Sequence, residues 1–336
     1  MSILLSTKFK EYNSPEYNIL KDLFTRIPMM DVYIANIIEE YIYSTIREYH
    51  PSKDGVNKGT LKCEYRSKYG EKNGEYKEWY RDSRLALNET EGRTDNSVED
   101  RGQLYIQTSY LNDKLHGKYK RWKKNGKLDI QTSYIEDKRH GEYKEWFKNG
   151  QLRVQTTYIE DKLHGEYKEW FSNGQLRVQT TYIEDKLHGE YKEWFSNGQL
   201  YIQTTYVNGK RHGEYKSWYR GQISVQTTYI EDKQHGEYKE WHNNGQLHIQ
   251  TTYKDGKLHG EYKSWYCDSD EDRGQLCVQT TYIEGKCHDE YKEWFENGQP
   301  RVQTTFINGK KHGEYKTWFE SGQLDVQTTY INGIIV

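Results

Sequence analysis

The stretch from Gly141 to His164, GEYKEWFKNGQLRVQTTYIEDKLH, recurs almost unchanged from Gly165 and again from Gly189, a period of 24 residues. So short a unit buries no core by itself, and the chain is restricted to architectures in which each unit stacks on the next. Unit starts fall at Gly74, Gly117, Gly141, Gly165, Gly189, Gly213, Gly236, Gly260, Asp289 and Gly313, which makes ten units, the last one short. All ten tryptophans occupy one position of the repeat. The unit from Gly74 spans 43 residues and that from Gly260 spans 29, with the excess at 81–101 and 267–273, while the unit from Gly213 is one residue short. All three changes lie between the Trp and the following Gln, which marks one exposed turn.

Each unit reads as a β-hairpin. Asn149-Gly150 joins GEYKEWF to QLRVQTTY, two runs rich in aromatic and β-branched residues, and suits a two-residue type I′ turn. The second connection carries Asp161, or Asn208-Gly209, Asp255-Gly256 and Asn308-Gly309 in other units, so consecutive hairpins should pair into a continuous antiparallel sheet. A two-residue turn places Phe147 opposite Leu152, Glu145 opposite Val154 and Tyr143 opposite Thr156 on one face. Trp146 then lies beside Arg153, and Lys144 beside Gln155, on the other. Glu145 alone spoils the first face. A β-bulge between Tyr143 and Trp146 would turn the glutamate out and the tryptophan into the core; the alternative is an exposed tryptophan ridge. With two strands per unit at about 4.8 Å each, the stack should form an elongated sheet of roughly 100 Å.

Composition agrees with a thin, aromatic-rich architecture: only 33% of residues are hydrophobic, yet there are 32 Tyr. The formal net charge of -2 argues against nucleic acid as a partner. No apolar run approaches the length of a signal core or a membrane span, so a cytoplasmic protein with reduced cysteines (Cys63, Cys267, Cys277, Cys287) is expected.

The N-terminal residues differ. Ser14-Pro15-Glu16 reads as a helix start, and a second amphipathic run from Asp31 aligns Ile34, Ile37, Ile38, Tyr41 and Ile42 before His50-Pro51 ends it. Residues 1–50 are expected to form a helical capping or docking segment, 51–73 a linker with a degenerate repeat, and 74–336 the array.

The pattern GxYKxWFxNGQLxVQTTYxxGKxHG resembles the MORN-repeat family, in the variant of about two dozen residues found in bacterial antitoxin-like proteins. The resemblance covers Gly74 to Gly333 and implies a non-catalytic scaffold of stacked hairpins that contacts proteins or, in some members, membranes. The His before each Gly and the Asp289 substitution depart from the pattern. IPMMDVYIANIIEEYI is similar to an F-box opening, which would imply a ubiquitin-ligase adaptor, and arrays behind such segments resemble proteins of large DNA viruses.

The nine junction histidines, from His116 to His312, stand roughly 10 Å apart in successive units, too far to share a metal; they form a ladder suited to hydrogen bonding at the turn. Neither a metal nor a cofactor is expected. No phosphate loop, nucleophile elbow or HExxH occurs, so catalysis is not expected. The candidate binding residues are the repeat surface: Trp122, Trp146, Trp170, Trp194 and Trp218, with Arg153, Arg177 and Tyr201 at the variable position. Ile34, Ile37, Ile38 and Ile42 are candidates for docking. A unit such as Gly165 to His188 carries a net charge of -1, which disfavours anionic membrane. The expected function is a repeat scaffold for a protein partner, with a membrane-surface organiser and an aromatic-ladder carbohydrate binder as the alternatives.

Overall fold

The computed structural model describes residues 43–51, 58–81, 102–266 and 274–336. Both insertions, apart from Arg81, and the docking candidates Ile34, Ile37, Ile38 and Ile42 lie outside the described residues. The chain divides into two compact units, Met1–Gly117 with Lys124–Gly126, and Lys118–Lys123 with Lys127–Val336.

The first unit contains β1 (Tyr43–Pro51), β2 (Lys58–Lys68), β3 (Glu71–Trp79) and β4 (Leu104–Leu111). They pair antiparallel in sequence order. Helix was expected through His50, but Tyr43–Pro51 is strand. The open flank of β2 offers a full ladder of backbone partners, from Tyr43↔Lys68 to Pro51↔Lys58, and these outweigh local helical periodicity. Leu61, Cys63, Tyr76 and Trp79 are buried at the centre of this unit. The Lys72 ammonium stands 5.1–5.2 Å from the ring centroids of Tyr65, Tyr76 and Tyr110.

The second unit is a succession of antiparallel hairpins, each joined to the next. In a typical one, Gly165–Trp170 pairs with Leu176–Ile183, which pairs in turn with Lys186–Trp194. The predominantly β, stacked-hairpin fold expected of the repeat is therefore present.

The turn chemistry is distributed differently from expectation. At Asn149-Gly150 only the glycine has positive φ (95°). Gly150 N–H donates to Phe147 O at 3.0 Å and Phe147 N–H to Gln151 O at 2.9 Å, a wider turn than type I′. The Asn149 amide oxygen caps Gln151 N–H, and its amide nitrogen reaches Ser172 O in the next unit. The two-residue turn with both residues at positive φ is the second connection, Glu160 (49°) and Asp161 (66°). There the Asp161 carboxylate accepts from Arg139 N–H of the preceding unit, a bond that explains why aspartate is tolerated. Glutamate makes no such backbone bond and has only an exposed lysine beside it, Lys162 at 3.8 Å from Glu184. Glu184→Asn, which installs the residue found at Asn208, should stabilise the array by about 0.5–1 kcal/mol in urea denaturation.

The wider turn shifts the register. Trp146, not Phe147, faces Leu152, and the bulge lies on the return strand between Leu152 and Val154, so Arg153 and Val154 together oppose Glu145. Glu145 accordingly stays on the tyrosine face instead of turning out. Strand alternation from Lys144 puts Trp146 on the opposite face. The tryptophans of the second unit are half-buried and do not form its core; Trp79 of the first unit is buried.

The innermost column is threonine. Thr132, Thr156, Thr180, Thr204, Thr227, Thr251, Thr280 and Thr304 are 1–3% exposed. Between units the next strand bulges: Gln179 faces Lys192 and Thr181 faces His188, which leaves Gly189, Glu190 and Tyr191 opposite Thr180 alone. The threonine side chain occupies that bulge. In one unit its hydroxyl donates to Glu214 O at 3.1 Å from Thr204. Tyrosine rings close over the column in T-shaped pairs, Tyr143–Tyr158, Tyr167–Tyr182 and Tyr191–Tyr206, with centroids 5.5–5.7 Å apart.

The histidine ladder contributes through backbone. His164 N–H donates to Thr157 O, and the Thr181, Thr228 and Thr252 hydroxyls donate to the carbonyls of His188, His235 and His259. The ring Nδ1 atoms of His188, His235 and His259 are buried without a hydrogen-bond partner, whereas His312 Nδ1 accepts from Asn332 N–H of the following turn at 3.4 Å, so the expected ring-to-turn bond forms at His312 and not at these three. Gly165 follows with φ 91°, where a Cβ would stand 2.9 Å from Thr157 Oγ1. Asp289 keeps that backbone (φ 62°), its carboxylate 3.0 Å from His288 Nδ1.

Candidate functional site

The bulge brings three side chains of each hairpin together on the tyrosine face: the bulged residue, the residue opposite it and the residue after the tryptophan. In the unit from Gly141, Arg153 Nη2 lies 2.7 Å from Glu145 Oε2. Arg177 and Arg301 repeat the contact with Glu169 and Glu293 at 2.9 Å, and each guanidinium stands over the neighbouring Phe171 or Phe295 ring. The polarity reverses in the unit from Gly117, where Asp129 accepts from Arg121 and Lys123. Where Arg is replaced by Tyr201, the ring packs against Phe195 with centroids 4.7 Å apart. His248 lies 4.1 Å from His242, ring to ring, and 3.5 Å from Glu240. Thr317 donates to Asp325 at 3.2 Å.

The variable position is thus matched to its own neighbours unit by unit. The missed signal was the pairing of opposite charges eight residues apart, Arg121 with Asp129 against Glu145 with Arg153. The bulge expected on its own strand would turn Glu145 out into solvent. Instead the glutamate side chain is 21% exposed and holds two donors, the arginine and the Tyr143 hydroxyl at 3.2 Å.

This geometry sets the protonation of the face. The Tyr143, Tyr167, Tyr191, Tyr238 and Tyr291 phenols are pushed above the usual tyrosine range, first by burial and then by the neighbouring glutamate. Tyr266 is pushed up to about 12, by burial first and then by its hydrogen bond to Cys277. The Arg153 guanidinium is held more firmly protonated by Glu145. A phenol moved away from neutrality and already donating to a carboxylate serves no proton transfer near pH 7. Among the described residues, no group of three or more His, Cys, Asp or Glu side chains is placed to hold a metal ion. Among them also, no helix is long and apolar enough to cross a membrane.

Of the residues singled out from sequence, Arg153, Arg177 and Tyr201 fall on this face. Trp146, Trp170, Trp194 and Trp218 do not; they pair with Leu152, Leu176, Leu200 and Ile223 and alternate to the other side, half-buried. Trp122 is half-buried as well. The two sets therefore form two surfaces, not one site.

Charge reversal probes the bulge. Arg153→Glu sets two carboxylates side by side and should cost about 1 kcal/mol at low salt, less at high salt because the arginine is half exposed. Adding Glu145→Arg should recover most of it, as Arg121 with Asp129 already does, and a double-mutant cycle in urea measures the coupling.

A sequence model of the MORN repeat variant matches residues 115–136, 139–160, 163–184, 187–208, 234–255, 290–308 and 311–332. No curated protein is similar enough to the chain to count as its relative. The unmatched stretches contain the units from Gly213 and Gly260, whose first turn has an altered length. Both nevertheless form the same hairpin, Lys210–Tyr219 with Gln222–Ile230 and Gly260–Trp265 with Leu276–Ile283. The stacked hairpins and the recurrent matches together make the chain a MORN-repeat protein, with several repeats across residues 115–332.

Proposed function

We propose that the protein is a non-enzymatic scaffold whose tyrosine face docks a protein partner through the bulge residues. The observation that carries this reading is the alternation of a fixed framework with a differentiated site. The Tyr, Thr, Gln and Lys positions recur, while one position presents Asp129, Arg153, Arg177, Tyr201, Ser224 and His248 in succession. The arginines keep 41–52% of their side chains exposed although their charges are paired. Half-exposed arginine over an aromatic ring, and tyrosine beside phenylalanine, are the residue types that dominate binding energy at protein interfaces.

An aromatic-ladder carbohydrate site is less well supported, because the tryptophans are half-buried. A membrane-surface organiser is disfavoured by the paired, near-neutral charge of each unit.

Affinity purification from the native cell tests the proposal, with the full chain against Arg153→Ser/Arg177→Ser/Tyr201→Ser. The expected result is a saturable protein partner lost from the triple variant while its far-UV circular dichroism is unchanged. Equal recovery by both would sink the assignment to this face, and strong co-sedimentation with anionic liposomes at physiological salt would replace it.

A further inference from the structure

The face opposite the tyrosines carries four parallel rails in the second unit. Reading across the strands, the first is Trp146 with its partner Leu152, the second Lys144 with Gln155, the third Glu142 with Thr157, and the fourth, at the edge, Ile159 with Lys162. Successive rails are two residues apart, about 6.8 Å, and each repeats every two strands, about 9.6 Å. The middle two are regular: an ion pair at 2.6–2.9 Å joins lysine to the glutamate two residues before it in every hairpin from Lys144–Glu142 to Lys316–Glu314. The fourth rail is unusual. Ile135, Ile159, Ile183, Val207 and Ile230 are 42–46% exposed, and the row is interrupted at Lys254 before it resumes at Ile283. The lysine paired with each, such as Lys162 beside Ile159, keeps 55% of its side chain exposed, and its stem extends the apolar line between one isoleucine and the next.

The order of the rails, apolar, positive, negative, apolar, has a symmetry consequence. Rotation by half a turn about an axis running along the stack exchanges the first rail with the fourth and the second with the third. Two copies laid face to face about that axis therefore set tryptophan and leucine against isoleucine and the stem of its paired lysine, and the second-rail lysine against glutamate, in the hairpins from Gly141 onward except at Lys254. A two-fold axis along the strands instead sets lysine against lysine and glutamate against glutamate, and is excluded by repulsion. One hairpin offers about 9.6 Å by about 25 Å of face, so four hairpins supply roughly 900 Å² per copy, the size of a standard specific interface.

We propose that the second unit pairs in register, face to face, with the same face of a second copy of this chain, the exposed isoleucine rail of each closing on the tryptophan and leucine rail of the other. The lysines and glutamates exchange intrachain for interchain partners, so they fix orientation, and the apolar rails supply the driving force.

Sedimentation velocity of the full chain between about 1 and 100 μM tests this, with circular dichroism on each variant. The wild type should sediment as a dimer, and Ile159→Lys/Ile183→Lys should raise the dissociation constant at least about 100-fold. Glu166→Lys places a lysine opposite Lys168 of the other copy twice over, and should weaken the dimer about tenfold or more. Adding Lys168→Glu restores complementarity, because both copies carry the exchange, and should return the constant to within about threefold of wild type. A chain monomeric throughout that range overturns the proposal. So does a dimer indifferent to the isoleucine changes, or a charge exchange no better than the single reversal. Vesicle binding that the isoleucine variants abolish in a monomeric wild type would assign the rail to lipid instead.

Discussion

Raising the pH from 9 to 12 should unfold the array at room temperature, long before its backbone or its ion pairs fail on other grounds. The phenols of Tyr143, Tyr167, Tyr191, Tyr238 and Tyr291, and to a smaller degree Tyr134, Tyr182 and Tyr206, stand above their ordinary value of 10.0 in the folded chain, mainly through burial. The unfolded chain releases these protons near pH 10, whereas the folded chain retains them. Stability is consequently intact below pH 10 and is lost as the pH climbs through the raised folded values. A fully shifted phenol contributes about 1.4 kcal/mol per pH unit, less here because the rings are half-exposed, but the losses add over the column. Absorbance of phenolate at 295 nm should rise late and in step with the loss of circular dichroism. Tyr167→Phe/Tyr191→Phe should move the transition to higher pH. A smooth titration centred at pH 10 with the fold retained would contradict the account.

Truncation of one tyrosine of a T-shaped pair should be the most damaging neutral substitution in the second unit. Tyr191→Ala removes the ring 5.7 Å from Tyr206 and opens the bulge that buries Thr180, and should cost about 3 kcal/mol, the lower end for an aromatic because the ring is only half-buried. Tyr191→Phe loses only the hydrogen bond to Glu193, 3.0 Å long, and should cost about 1 kcal/mol. Denaturation in urea, followed by circular dichroism, separates the two. Since each hairpin touches only its neighbours, the alanine variant should also broaden the transition, its damaged hairpin melting first. An alanine variant within 1 kcal/mol of wild type would show that the threonine column, not its tyrosine cover, carries the stability.

The stacked-hairpin fold was legible because the period, the turn glycines and the aromatic runs all point the same way. The faces were less so, and the reason is local. Asn149-Gly150 supports a two-residue turn and a wider one with nearly equal sequence signal, and a one-residue difference exchanges which of Trp146 and Phe147 meets Leu152. That single step decides whether tryptophan belongs to the core. The bulge was anticipated in kind but placed on the wrong strand, since a half-buried glutamate on the tyrosine face looks implausible until its partners, Arg153 and the Tyr143 hydroxyl, are seen around it. Threonine as the innermost residue had no sequence signal of its own: Thr156 and Thr157 are adjacent and identical, and only the inter-unit bulge makes one buried and the other half-exposed. The strand at Tyr43–Pro51 was hidden by isoleucine spacing that suits either period.

The bonds that join one hairpin to the next reach a nearly constant distance along the chain. Asn149 binds Ser172 O and Asn173 binds Ser196 O, 23 residues on; Leu163 N–H donates to Asp185 and Lys162 pairs with Glu184, 22 residues on. None reaches past the adjacent hairpin, so a whole repeat can be copied or excised and the cut ends find the same partners they had before. Copy number then becomes a heritable dimension: unequal recombination within the coding sequence lengthens or shortens the surface in fixed increments while leaving the energy of every junction as it was. The near-identity of the units from Gly141, Gly165 and Gly189 is the trace such events leave, and it makes this part of the chain a ruler whose length can be reset in a single step.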